Sequence, residues 1–106
     1  MVIDFHVHLL SQNSYVNPWV VEFFHRIPRK DGHTYESLMA MGPSELDDFL
    51  ASQGVERGVG LAEVCPVTTG MFENERVIQF CRESKRLIPF CSVNPNVVAR
   101  PAHELR

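Results

Sequence analysis

Residues 43–64 read PSELDDFLASQGVERGVGLAEV, and this stretch decides the fold class. Its first half has helical spacing: Leu46, Phe49 and Leu50 share one face, with acidic residues between them. Ser44 can cap the helix, Glu45 and Asp47 favour its positive end, and Gly54 supplies a stop. From Val55 to Val64 the helical period is lost and a short apolar strand takes over. Gly58 and Gly60 in that strand allow close approach of a neighbouring element. A helix feeding directly into an apolar strand is one link of a repeating βα pattern.

The pattern continues on both sides. Downstream, NERVIQFCRESKR (74–86) turns Val77, Ile78 and Cys81 inward and its charges outward. LIPFCSVNP (87–95) is then the next strand, with Pro89 tolerable near its beginning. These two strands begin about 31–32 residues apart, close to the unit of a (β/α)8 barrel of roughly 250 residues. RPAHELR (100–106) reads as the first turn of a further helix. Upstream, VIDFHVHLL (2–10) alternates: Ile3, Phe5, Val7 and Leu9 on a core face, and Asp4, His6 and His8 on the other. Helical crossovers imply a parallel sheet with right-handed connections. The expected class is α/β, with residues 1–106 forming a single domain of N-terminal βα units of a TIM barrel. Three units are less than half of such a barrel, so the chain reads as the N-terminal portion of a longer enzyme. A small open α/β domain complete in itself is the alternative.

Residues 11–42 form an insertion after the first strand. Within it, NPWVVEFFHRIP has Asn17 as a candidate N-cap and Pro18 at the first helical position. Trp19, Val20, Phe23, Phe24 and Ile27 follow helical spacing until Pro28 ends it. RKDGH is a turn, and TYESLMAMG is a further helical turn or two.

Composition narrows the function classes. Hydrophobic residues at 44% and charged residues at 22% describe a globular chain rather than a disordered one. A net charge of −3 without a basic block argues against nucleic-acid binding. No apolar run approaches the roughly 20 residues that span a bilayer, so no membrane partner is expected. No Lys or Arg precedes the first apolar stretch, which is unlike an ordinary signal peptide. Cys65, Cys81 and Cys91 are odd in number and lack C-x-x-C spacing, as expected of reduced thiols in the cytoplasm.

His6 and His8 carry the chemistry. Residues two apart on a strand share a face, with Cα atoms about 6.6 Å apart. Two imidazoles so placed can converge on one ion at roughly 2.0–2.1 Å each. Imidazole suits several divalent metals, and zinc is the first expectation.

VIDFHVHLL resembles the first strand of the amidohydrolase superfamily of metal-dependent (β/α)8-barrel enzymes, which carry H-x-H at the end of strand one. ELDDFLASQGVERGVGLAEV and NERVIQFCRESKRLIPFCSVNPN are similar to the amidohydrolase-related branch, in which aminocarboxymuconate-semialdehyde decarboxylase, related decarboxylases and hydratases, and various hydrolases are found. The similarity covers residues 1–10 and about 44–106. It implies that His6 and His8 are metal ligands, and that the remaining ligands and an Asp general base lie beyond residue 106. It further implies a hydrolase acting on a small carboxylated or cyclic molecule, or a decarboxylase of the same branch. Barrel phosphoesterases and deoxyribonuclease-like hydrolases that open with H-x-H are the next rival. The isolated chain, with two ligands, is then expected to bind metal weakly and to be inactive.

Four other residues are candidates for substrate binding. Trp19 and Phe24 could line a pocket, since barrel loops after strand one surround the active site, or could pack on the rim. Glu63 and Asn94 fall near the ends of strands two and three, where strand-end or capping roles compete. Asp4 could orient His6 or hold a structural partner. Arg26, Arg29 and Lys30 could bind a carboxylate or form a solvated turn. A reading from a different class is a non-catalytic α/β module whose copies associate through unpaired strand edges.

Overall fold

A computed structural model describes residues 1–9 and 15–104. The two helix–strand units lie where the sequence puts them. α3 (Pro43–Ser52) leads into β3 (Arg57–Leu61), and α4 (Asn74–Glu83) leads into β6 (Leu87–Phe90). With β1 (Ile3–His8), these strands make a three-stranded sheet in the order β1-β3-β6, parallel at both junctions. The chain is therefore α/β with a parallel sheet and crossover helices.

A tight core forms between the sheet and the helices. Val7, Leu9, Leu50, Val77, Cys81 and Leu87 belong to one buried cluster, and Val77 is fully enclosed. The glycines of β3 let the layers approach. A Cβ on Gly58 would meet Leu87 and Val7 side-chain atoms at 3.1 Å, and one on Gly60 would lie 2.8 Å from Leu9 Cδ1. Gly54 ends α3 with φ at 73°, a left-handed conformation that suits glycine.

Local signals hold the helix ends, though not always the expected ones. α3 starts one residue before Ser44: Gly42 is its N-cap, and the Gly42 N–H donates to the Glu45 carboxylate at 2.5 Å. Asp47 does not serve the positive helix end. It is buried and accepts from the Ser84 hydroxyl at 2.5 Å and the Lys85 N–H at 2.7 Å, tying α3 to the turn before β6. The Ser84 hydroxyl oxygen in turn accepts from the Leu87 N–H at 2.9 Å.

The insertion contains α1 (Pro18–Arg26) and α2 (Tyr35–Met39). Asn17 is the N-cap of α1 through its backbone, and makes no side-chain cap bond. In α2, the Thr34 hydroxyl oxygen accepts the Ser37 N–H while the Ser37 hydroxyl oxygen accepts the Thr34 N–H, a reciprocal cap.

Several boundaries differ from the sequence reading. The strand expected over 55–64 stops at Leu61; after Ala62 the chain leaves as β4 (Glu63–Cys65). β4 pairs antiparallel with β5 (Gly70–Phe72), which also pairs with β2 (Tyr15–Val16), forming a second small sheet in the order β2-β5-β4. Helix 74–86 ends at Glu83, and strand 87–95 ends at Phe90. Ile78, expected inward, is 41% exposed. The further helix is α5 (Pro101–Glu104), and its expected last two residues, like Leu10 of the first strand, lie outside the described residues.

The largest correction concerns β1. Val7 and Leu9 are buried as expected, whereas Phe5 is 68% exposed and Ile3 stands at the exposed limit. Asp4 pairs with Gly58 and Val7 with Gly60, so β1 spends three residues where β3 spends two. This bulge breaks the two-residue alternation that put all four apolar side chains on one face.

Candidate metal centre and adjoining pocket

β1 is an outer strand, and its C-terminal end brings the two imidazoles together. His6 Nε2 and His8 Nε2 stand 2.9 Å apart, with ring planes inclined at 61°. That spacing suits a hydrogen bond between neutral rings, in which one Nε2–H donates to the other ring's lone pair. It also suits a shared ion: with nitrogen–metal distances of about 2.1 Å, the two nitrogens subtend roughly 90° at the metal. The backbone prepares this arrangement. Asp4 Oδ1 accepts the His6 N–H at 2.9 Å, so Asp4 holds the bulged backbone through the peptide group of His6.

His8 lies level with Leu61 in the paired strand, and the chain turns just beyond it to place Glu63 alongside. Glu63 Oε2 is 3.6 Å from His8 Nδ1, an electrostatic contact rather than a hydrogen bond. The other carboxylate oxygen of Glu63 accepts from the Thr69 hydroxyl. A carboxylate facing Nδ1 favours the tautomer with its proton there, which leaves the Nε2 lone pair free to ligate. Among the described residues, no group of three His, Cys, Asp or Glu side chains could hold a metal ion. The two nitrogens fit a shared ion, but the set is short of the three protein ligands usual at a catalytic zinc.

Next to this pair lies a cavity of about 320 Å³. Trp19, Phe23 and Phe24 of α1 line it together with Met71 and Phe72 of the second sheet. Its polar lining is His8, Glu63 and Thr69, which are linked through Glu63. The Trp19 indole N–H donates to the Thr68 carbonyl at 2.6 Å, fixing the ring against the β4–β5 turn. Trp19, Phe24 and Glu63 are thus brought together beside His8.

Asn94 is placed differently. Its side-chain N–H donates to the Val64 carbonyl at 2.8 Å, and its Oδ1 accepts the Asn96 N–H at 2.9 Å. Both bonds organise the segment after β6, and Asn94 does not line this cavity. Arg26 pairs with Glu22, and Arg29 pairs with Asp31 at 2.7 Å, so both cations face acids in their own segments. A second hollow, against α2 and α3, is lined by His6, His8 and Arg29 among others. Sequence reasoning named neither Thr69 nor Met71. Both owe their positions to the β4–β5 hairpin, whose short strands carry no periodic signal.

The chain was compared with protein-family models, curated proteins and solved structures, and no match was found. No helix among the described residues is long and apolar enough to cross a membrane.

Proposed function

We propose that this chain supplies the opening βα units of a (β/α)8-barrel, metal-dependent hydrolase of the amidohydrolase type. In this reading His6 and His8 are the first two ligands of a divalent metal, zinc foremost. The observation that carries it is the 2.9 Å approach of the two Nε2 atoms on one strand end. A bound cation there supplies Lewis acidity to the reaction. His6 and His8 hold it, Glu63 orients His8, and the apolar cavity positions a small cyclic or carboxylated substrate and keeps water away. A decarboxylase of the same branch would use the same two ligands. The enzyme is read as cytoplasmic, with reduced thiols; in the alternative reading, a non-catalytic α/β module, copies associate through the outer strands β1 and β6.

Equilibrium dialysis against zinc tests the assignment directly. The expected result is one weakly held ion per chain, lost in His6→Ala and in His8→Ala and kept in His103→Ala. Unchanged zinc content in both strand variants would contradict it.

A further inference from the structure

From the chemistry of the cavity beside His8, we infer that it selects an uncharged ring bearing a hydrogen-bond donor, and rejects the corresponding carboxylate. This rests on reading His6 and His8 as the reacting end of the site, and it concerns the walls of the cavity, apart from the cation which that reading places on His8.

Size comes first. About 320 Å³ is at the small end of ligand pockets, which run from roughly 300 to 1,000 Å³, so one substituted ring fills much of it. The lining comes second. Trp19, Phe23, Phe24 and Phe72 present aromatic surface, which favours a flat apolar body. Charge decides the rest. No Lys or Arg is among the described lining residues, so apart from a cation held at His8 the wall offers a substrate carboxylate no Lys or Arg partner. It would instead meet Glu63, whose side chain is only 21% exposed and whose charge is poorly screened there. A carboxylate entering this cavity loses its hydration and gains a like charge, and both effects oppose binding. A hydroxyl or carboxamide N–H can donate to Glu63, because the acceptor capacity of a carboxylate exceeds the single bond from Thr69. The nearby cations do not change this balance. Arg26 and Arg29 are paired with Glu22 and Asp31, and Arg29 lines the other hollow.

The test uses benzamide and benzoate, which differ in charge but hardly in shape. Trp19 is the only tryptophan of the chain and lines the cavity, so its emission reports occupancy. Titrations of the 106-residue chain are run near neutral pH with a chelator present, so that no metal can capture the carboxylate. Benzamide is expected to produce a saturable change, with a dissociation constant at least tenfold below that of benzoate. Glu63→Gln, which keeps an acceptor for Thr69 and removes the charge, should bring the ratio close to one. Benzoate binding as tightly as benzamide would overturn the inference, as would saturation by neither. Because metal is excluded, failure here leaves the two-histidine assignment standing. Failure of the zinc dialysis leaves this charge discrimination standing in turn.

Discussion

Glu63 shows how much one side chain can set at this site. Its carboxylate reaches toward His8 Nδ1 on one side and takes the Thr69 hydroxyl on the other. Glu63→Gln removes the charge that favours the ligating tautomer, so zinc affinity should fall about tenfold or more, at the lower end of what orienting carboxylates contribute. Calorimetric titration measures this, and unchanged affinity would remove Glu63 from the proposed metal site. Asp47 has a purely structural part. Replacing it by Ala leaves the Lys85 N–H and the Ser84 hydroxyl without their buried acceptor, so urea denaturation should show a loss of about 2–3 kcal/mol. Burial pushes the Cys81 thiol up to about 11 from an ordinary 9.0. The folded state therefore keeps its proton where the unfolded chain releases it. Cys81 leaves stability untouched below about pH 9 and lowers it as pH rises toward about 11. A thiol reagent at neutral pH should label exposed Cys91 and spare buried Cys81 until the chain unfolds.

At the scale of elements, the β1–β3 contact depends on glycine. Gly60→Ala would set a methyl group 2.8 Å from Leu9 Cδ1 and 3.2 Å from Cys81 Sγ. The loss should be about 1–3 kcal/mol in denaturant titration, since Leu9 and Cys81 are both buried in the core and must shift to admit the methyl group. The turn between α1 and α2 has its own pH signature. The Arg29 guanidinium and then the His33 N–H hold the Asp31 carboxyl down to about 2. The contribution of that turn is thus present above pH 3.8 and lost as pH falls toward about 2, which carboxyl NMR titration can follow. These elements also mark what a sequence can disclose. α3, α4 and the strands after them were legible because their periodicity is local, as in Val77 and Cys81 facing one way four residues apart. The bulge in β1 was not, because an extra residue in a strand leaves no trace until its partner is known. The second sheet was hidden for a related reason: strands of two or three residues are too short to show a period. For the site, His6 and His8 were legible from their spacing, and Trp19 and Phe24 from the apolar face of their helix. The approach of Glu63 to His8 required the register of β3 on β1.

At the scale of the whole molecule, the face of the parallel sheet away from Gly60 is covered at its centre, where Val59 is 2% exposed, and open along β6. Leu61 pairs with both His8 and Phe90, so these three lie in a row across the sheet on the face away from the packing of Gly60. Phe90 is 52% exposed and Ile88 is 44% exposed, on an outer strand. Apolar side chains on an outer strand favour association. Sedimentation should show a mass that rises with concentration, reduced in Phe90→Lys; a monomer in both would argue against association through β6. The central claim concerns metal, and one measurement addresses it most directly. Long-range ¹H–¹⁵N NMR of the imidazole rings during zinc titration reads each Nε2 separately. The account predicts that His6 and His8 Nε2 shift together and saturate together, while His25, His33 and His103 stay in place. Zinc that moves those three and leaves His6 and His8 unchanged would contradict it.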